Sequence, residues 1–208
     1  MRHKHPPISE WPTTARIEAF SDGVIAIIIT IMVLELHVPQ LAETFGREEF
    51  FKAFEHLWTK LVAYAMSFII VAIFWVNHHG FFHTLKKSDG RLLWYNNHLL
   101  FWLSLVPFVT AFLGEHPDRP EAIIVFGLVM FFAALAFMLM GRYAMFRGNL
   151  MHENYPTEVR WKALRRNYPG LVMYFLSIVL APVSFWISWV FFFLVPLYYF
   201  MPRQVGGD

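Results

Sequence analysis

Long apolar stretches recur along the whole chain, and they constrain its fold more than any other feature. Four of them cover about residues 19–38, 57–76, 92–113 and 122–140, and a fifth covers about residues 168–201. An α-helix needs roughly 20 mostly apolar residues to cross a bilayer, so each of the first four runs predicts one span. The fifth run carries Pro182 and Ser184 near its middle and predicts a tight hairpin of two spans.

The composition agrees with lipid as the main solvent of this chain. Of the 208 residues, 57% are hydrophobic and only 15% are charged, which is too apolar for a soluble domain. The formal charge of +2 is not gathered into one basic patch, so we expect no nucleic-acid partner. The absence of cysteine excludes disulfides and thiolate metal sites. The prediction is an all-α integral membrane protein with six transmembrane helices in a single domain, residues 1–208.

The basic residues are distributed unevenly between the two sides of a six-span arrangement. Thirteen of the 17 Lys and Arg residues fall on the side of the N-terminus. The exceptions are Arg47, Lys52, Lys60 and Arg119. Since Lys and Arg favour cytoplasmic loops, we expect both termini to be cytoplasmic. Residues 1–15 would then form a cytoplasmic segment, and residues 142–167 a basic cytoplasmic loop whose surface helix turns Trp161 and Leu164 toward lipid headgroups.

The first predicted helix is unusual because Asp22 and Glu35 bracket only 12 residues, a rise of about 18 Å. A carboxylate at membrane depth is costly in lipid, so Asp22 should face protein or water. At about 100° per residue, an apolar stripe runs along the helix. Its members are Phe20, Gly23, Ile27, Ile31, Leu34 and Val38. Asp22 points about 140° away from Ile27, and Thr30 lies about 60° to the side of the stripe. Such a stripe is either a seam of helix packing, the commoner case, or a hydrophobic constriction that lines a pore.

Polar side chains cluster near the ends of the second and third helices, at the same depth as Asp22. They are Trp75, Asn77, His78, His79, His83, Asn96, Asn97 and His98. We expect Asp22 to accept a hydrogen bond from a His or Trp of this group. The run His78, His79, His83 also resembles one histidine box of a di-iron oxygenase, but such enzymes need several boxes and more ligands. We assign no metal, no cofactor and no enzyme activity, because phosphate-loop and nucleophile motifs are missing from the sequence.

Residues 16–27 read Arg-Ile-Glu-Ala-Phe-Ser-Asp-Gly-Val-Ile-Ala-Ile, and Thr30 and Leu34-Glu35 follow. This stretch closely resembles the Arg-x-x-x-Phe-Ser-Asp signature of the transmembrane protein 175 family, which contains the endo-lysosomal potassium channel and its prokaryotic relatives. Residues 74–79 and 97–116 are similar as well. The resemblance therefore covers the first three predicted helices, and the last three match only by hydropathy.

The resemblance implies a potassium-selective leak channel whose pore is lined by the first helix, with potassium ions and the bilayer as partners. Ile27 would form the bottleneck, Thr30 would help replace the water shell of potassium, and Ile31 and Leu34 would add apolar rings. Because the signature occurs once, the chain would form a homotetramer, in the cell membrane of a prokaryote. The implied network around the pore helix consists of Arg16, Phe20, Ser21, Asp22, Trp75, His78, His79 and Asn97.

Two alternatives stay open at this point. Asp22 and the membrane-depth histidines are also typical of a proton relay, which would make the chain a proton-coupled transporter. The histidine run would instead suit a membrane metalloenzyme. Which of Thr30, Ile31 and Leu34 would face the axis of a pore is not fixed by the sequence.

Overall fold

The computed structural model describes residues 12–38 and 46–200, and this part of the chain folds into α-helices without a β-strand. An isolated bridge between Leu85 and Met151 is the one β-type pairing within the described residues. The helices are α1 (Thr14–Met32), α2 (Arg47–Phe82), α3 (Gly90–Ser104), α4 (Val106–Glu115), α5 (Pro120–Arg142), α6 (Thr157–Arg165), α7 (Tyr168–Leu180) and α8 (Phe185–Phe200).

Six spans are assembled from these helices, which confirms the predicted all-α membrane fold. Four helical stretches are long and apolar enough to cross a bilayer, namely Thr14–Glu35, Arg47–Phe82, Gly90–Glu115 and Pro120–Arg147. The last two spans, α7 and α8, are shorter and pack against each other. The turn between them contains Pro182, so the long apolar run at the end of the sequence is a hairpin.

Helix α2 extends well beyond the apolar run that predicted it. The run covers residues 57–76, whereas the helix begins at Arg47 and ends at Phe82. Its first turns are charged, and Glu48 pairs with Lys52 one turn later at 2.8 Å. Acidic side chains at a helix N-terminus and such i, i+4 pairs both favour a helix in water. Hydropathy marks only the part of a helix that lies in lipid, so it misses these polar ends.

The third span is broken into α3 and α4 at Leu105, where the sequence predicted one continuous helix. Pro107 occupies the first turn of α4. A proline has no N–H and its ring clashes with the preceding turn, so it is tolerated at the start of a helix and interrupts one in the interior. The break lets α3 pack on α5 while α4 packs on α2.

Helix α5 forms the centre of the bundle and contacts α3, α4, α7 and α8. Its contact with α7 is close at Gly127, where a Cβ atom would lie 2.7 Å from Cγ1 of Ile178. Small residues allow such close approach of helix backbones in membranes. Polar side chains form hydrogen bonds across the bundle, where Thr110 donates to Ser67 and Ser188 donates to the Ser177 carbonyl, each at 2.8 Å.

The segment between α5 and α7 contains the short helix expected there, α6. Its Trp161 packs against Phe146 with ring centroids 4.5 Å apart, and its Leu164 is buried. Leu164 therefore packs on protein and does not point toward lipid headgroups. Arg160 fixes the segment by donating to the carbonyls of Tyr155 and Met145 at 2.8 and 2.9 Å.

Candidate pore-lining surface and its supporting network

Helix α1 presents two different faces. One face is buried against α2, α3 and α4, and it consists of Ile17, Ser21, Ile25, Ile28 and Met32. The opposite face is exposed in the single chain. Because these buried residues recur with the period of an α-helix, the helix has only one orientation in which it can pack on its own subunit. The face that remains outward is fixed by that orientation.

The outward face carries the apolar stripe found in the sequence. Ile27 is 57% exposed, Leu34 is 69% exposed, and Ile31 is 42% exposed. Phe20 and Gly23 are exposed on the same side, and Val38 is exposed in the irregular segment after the helix. Large apolar side chains exposed in a contiguous stripe mark an interaction surface or a lipid-facing surface. The contacts of α1 with the other described helices are made by the opposite face, so the stripe does not pack on these helices.

Thr30 lies within this outward face, and its hydroxyl group is oriented by the helix itself. Its Oγ1 donates to the carbonyl of Ala26 at 3.0 Å and to that of Ile27 at 2.9 Å. A hydroxyl has one proton and two lone pairs. Since the proton is held by the backbone, the oxygen presents its lone pairs to whatever lies outside the helix. The group is therefore an acceptor, or a ligand for a cation, at this surface.

Two carboxylates on the edge of α1 each contact a side chain of α2. The indole Nε1 of Trp75 donates to Oδ1 of Asp22 at 2.9 Å, and Nδ1 of His79 lies 2.8 Å from Oε1 of Glu18. The two carboxylates are four residues apart on α1, and their two partners are four residues apart on α2. The carboxylate that comes first along α1 contacts the partner that comes second along α2. The result is a ladder of two polar contacts between antiparallel helices, which holds α1 in register with α2.

A second polar network lies deeper and joins α1 to both α2 and α3. Asn96 donates from Nδ2 to the Ser21 hydroxyl at 2.9 Å, and its Oδ1 lies 2.8 Å from Nε2 of His78. All three residues are fully buried. Ser21 also donates to the carbonyl of Ile17 at 2.8 Å. Buried polar groups in a bilayer need such partners, because lipid supplies none.

The structure places several of the predicted network residues outside these contacts. Asn97 is exposed, and the adjacent Asn96 takes the place in the network that the resemblance implied for Asn97. The physical reason is helical phase: Asn96 lies on the buried face of α3 with Leu92, Leu99 and Leu103, and the next residue is turned by about 100°. Arg16 and Phe20 are exposed on the first turns of α1.

Sequence reasoning missed Asn96 and Glu18 as partners. The signal for Asn96 was present, because it continues the buried period of α3. Glu18 precedes Asp22 by one helical turn, so it could have been placed beside α2 by the same rule. What could not be read from the sequence was which polar residue of α2 faces each carboxylate.

His78 and His79 of α2, and His83 directly after the helix, do not converge on one point. His78 is buried and bound to Asn96, whereas His79 and His83 are exposed on another side of the helix. The two exposed histidines approach each other, with 3.1 Å between their Nε2 atoms. Together with Glu18 they form a group whose potential ligand atoms all lie within 4.8 Å of one another. This group contains Glu18 in place of His78, which belonged to the histidine run seen in the sequence.

Comparison with known proteins places the chain in a family. The family model described as "Endosomal/lysosomal potassium channel TMEM175" matches residues 16–107. A protein of Chryseobacterium sp. (strain P1-3) named as a potassium channel is 35% identical over 192 residues, which is 92% of this chain and 95% of that protein. The chain belongs to the TMEM175 family. The part matched by the family model runs from the start of α1 to the first turn of α4 and so contains both polar networks.

Other members of the TMEM175 family resemble the chain in structure and in sequence. The crystal structure described as a lysosomal potassium-selective channel TMEM175 homolog from Chamaesiphon minutus superposes with a TM-score of 0.76 at 31% identity, covering 89% of this chain and 95% of that chain. The human protein named "Endosomal/lysosomal proton channel TMEM175" is 24% identical over 187 residues. This TMEM175-family chain spans 36% of the human protein's length.

Proposed function

We propose that this chain is a potassium-selective, leak-type ion channel in which α1 lines the pore of a homotetramer. The observation that carries the proposal is the outward stripe of α1, which residues 46–200 leave uncovered. The names of the relatives support conduction of potassium. In a symmetric assembly each copy of the stripe meets the same surface of its neighbours at the axis, so four α1 helices enclose a narrow apolar passage.

Ile27 forms the constriction in this proposal. It is the first bulky apolar member of the stripe that follows Asp22 in the sequence, and its side chain is more than half exposed. A ring of isoleucine side chains is too narrow and apolar to hold water readily, so it resists ion passage until it is wetted. Ile31 and Leu34 add further apolar rings along the same helix.

Thr30 supplies the polar element of the passage. The structural support is that its hydroxyl proton is bonded to the backbone of α1, which leaves lone pairs facing outward. Four such oxygens at one level replace part of the hydration shell of a permeating cation. Selectivity then depends on side-chain oxygens, since the sequence has no Thr-Val-Gly-Tyr-Gly carbonyl filter.

In this proposal the side chains that form the polar contacts of α1 position the pore helix and do not bind the permeating ion. Asp22 with Trp75, and Ser21 with Asn96 and His78, hold the inner face of α1 against its own subunit. A carboxylate paired in this way costs less in the membrane than an unpaired one. Substitutions there are expected to affect folding and assembly before they affect selectivity.

The decisive experiment is a flux assay with purified protein in liposomes. Potassium efflux above that of empty vesicles, with a lower sodium flux, is the expected result. The variant Ile27→Asn places an amide at the constriction and should raise flux several-fold while lowering the preference for potassium. The matched control is Ile187→Asn on α8, where the isoleucine is 42% exposed and belongs to no proposed pore surface. Potassium flux equal to that of empty vesicles refutes the channel proposal.

The tetramer is tested separately by native mass spectrometry in detergent. The expected species has four times the chain mass of 24.5 kDa. A monomer or dimer that still conducts potassium would refute the fourfold arrangement and leave conduction intact. Support for an assembly of single-signature chains comes from the sequence, in which the signature appears once.

We further propose a single domain in the cell membrane with cytoplasmic termini, residues 1–15 as a cytoplasmic segment and residues 142–167 as a basic cytoplasmic loop. The support is the excess of Lys and Arg on the N-terminal side.

A proton-coupled transporter is the second candidate function. It is favoured by the name of the human relative, a proton channel, and by the acidic and histidine side chains aligned along one edge of α1 and α2. Carboxylate and histidine chains at membrane depth are typical of proton relays. This alternative predicts substrate uptake that is driven by a pH gradient and saturates, without unitary currents. Single-channel recordings in asymmetric potassium and sodium distinguish the two functions.

A further inference from the structure

His79 and His83 face each other on the exposed side of α2. They are four residues apart, so both project from one face of the helix. Their rings are perpendicular, with centroids 4.4 Å apart, and their Nε2 atoms are 3.1 Å apart. Both side chains are accessible from outside the bundle, since the side chain of His79 is 48% exposed.

The Nε2 separation is close to that of two nitrogens bound to one metal ion. With Zn–N bonds of about 2.0–2.1 Å in a tetrahedral site, two nitrogen ligands lie about 3.3 Å apart. Two histidines at i and i+4 of a helix are also the arrangement used by helical zinc sites. The alternative is a hydrogen bond in which one Nε2 carries a proton that a metal ion would replace.

Glu18 adds the group that usually accompanies a metal-binding histidine. Its Oε1 lies 2.8 Å from Nδ1 of His79, on the side of the ring opposite to the Nε2 that faces His83. This oxygen is buried, and the contact is close but off the angle of a good hydrogen bond. A carboxylate on the second ring nitrogen fixes the tautomer and orientation of a histidine ligand and raises its basicity.

We propose that Glu18, His79 and His83 form a binding site for a divalent transition-metal ion such as zinc. The Nε2 atoms of the two histidines are the ligands, Glu18 is a positioning residue for His79, and water completes the coordination. Imidazole ligands suit zinc, copper and nickel better than calcium or magnesium. Because Glu18 belongs to α1 and the two histidines lie at the C-terminal end of α2, a bound ion strengthens the contact between the helix that carries the apolar stripe and its neighbour.

The chemistry of the group leaves two explanations for the contact between His79 and His83. A neutral imidazole has one N–H and one lone pair. If His79 directs its Nδ1 proton to Glu18, its Nε2 offers a lone pair to His83. That lone pair is satisfied either by the Nε2 proton of His83 or by a metal ion. The proposal therefore has a single competitor, a chain of hydrogen bonds without a metal.

The test is zinc binding by the purified full chain, prepared without a polyhistidine tag. Isothermal titration with ZnCl₂ should show one site for each chain, and zinc should raise the thermal unfolding temperature because it binds the folded state. His83→Ala should abolish this site. Glu18→Gln should weaken it by roughly 10–100-fold without abolishing it, as expected for a residue that acts through a histidine ligand.

The controls separate this site from other histidines. His152→Ala removes an exposed histidine outside the group and should leave zinc affinity unchanged, as should the double variant His3→Ala/His5→Ala. His83→Cys exchanges one ligand for another and should restore binding, with the absorption of a thiolate complex when cobalt replaces zinc. Equal zinc affinity in the wild-type chain and His83→Ala would refute the proposal in favour of the hydrogen-bonded chain. These measurements do not depend on ion conduction, so they stand apart from the flux assay.

Discussion

The indole Nε1 of Trp75 donates a hydrogen bond of 2.9 Å to the Asp22 carboxylate, and this bond crosses from α2 to α1. It explains how a signature acidic residue is accommodated at membrane depth. It also fixes the rotation of α1, because Asp22 can reach Trp75 only when the apolar stripe faces outward. The orientation of the proposed pore surface is therefore set by a contact on the other side of the helix.

Removing only the indole donor tests this bond. Trp75→Phe keeps an aromatic ring and should lower the free energy of unfolding by about 1–3 kcal/mol, since it leaves a partly buried carboxylate without its partner. Thermal unfolding in detergent, followed by circular dichroism, measures the change. The control is Trp94→Phe, in which the lost tryptophan is 75% exposed. Equal unfolding temperatures for the two variants would show that the bond contributes little.

The neighbouring asparagines of α3 provide a matched pair. Asn96→Leu leaves the buried His78 without its hydrogen-bond partner and leaves Ser21 only the bond that it donates to the Ile17 carbonyl. The expected cost is about 1–3 kcal/mol. Asn97→Leu changes an exposed position and should be close to neutral. Expression level and thermal unfolding of the two variants give the comparison. A destabilised Asn97→Leu with an unaffected Asn96→Leu would mean that α3 is rotated relative to this description.

Close packing at Gly127 gives a third prediction. Gly127→Ala places a Cβ atom 2.7 Å from the Ile178 side chain, so the contact between α5 and α7 must open, at a cost of about 1–3 kcal/mol. Gly80→Ala is the control, because a Cβ atom there meets nothing within 4 Å. The difference in thermal unfolding temperature between the variants measures the effect. If Gly127→Ala unfolded no earlier than Gly80→Ala, the helices would not be in the described contact.

Two substitutions at Thr30 distinguish the contribution of its hydroxyl oxygen from that of its methyl group. Thr30→Val has nearly the same shape without the hydroxyl and should reduce the potassium preference over sodium several-fold in liposome flux assays. Thr30→Ser keeps the oxygen and should retain most of that preference. A valine variant as selective as the wild type would exclude Thr30 from the selectivity mechanism and leave the apolar rings as its source.

The absence of cysteine makes membrane orientation easy to measure. Lys86→Cys and Arg119→Cys each introduce a unique thiol at an exposed position. In intact cells, a membrane-impermeant maleimide should label Arg119→Cys and leave Lys86→Cys unlabelled until the cells are permeabilised. The reverse pattern would place the termini outside and contradict the orientation derived from the basic residues.

Hydropathy and charge predicted much of this fold, and the reasons are physical. A span must be apolar over its whole length, so the number of spans and the final hairpin could be read from the chain. The polar ends of α2 and the break before Pro107 lie outside that rule. They depend on helix capping, on charge pairs in water and on local packing, none of which changes the hydropathy of a segment.

The proposed pore surface was predicted less completely than the fold. The stripe through Ile27 follows from helical periodicity, but periodicity alone cannot say whether a stripe faces its own subunit. That answer came from the opposite face of α1, whose buried residues make the contacts within the chain. The sequence implied Asn97 for the buried network, whereas the structure places Asn96 there. Two adjacent asparagines differ only in their angle around the helix, so residue type alone could not choose between them.

The shortness of α7 has a consequence for the surrounding membrane. Its 13 residues, Tyr168–Leu180, rise only about 20 Å, whereas the hydrocarbon layer of a typical bilayer is about 30 Å thick. The hydrophobic length of the protein at this edge is therefore smaller than the thickness of the hydrocarbon layer, which favours local thinning of the bilayer. The protein is therefore expected to sense bilayer thickness on the flank formed by its last hairpin, and lipids with longer acyl chains should strain that flank first.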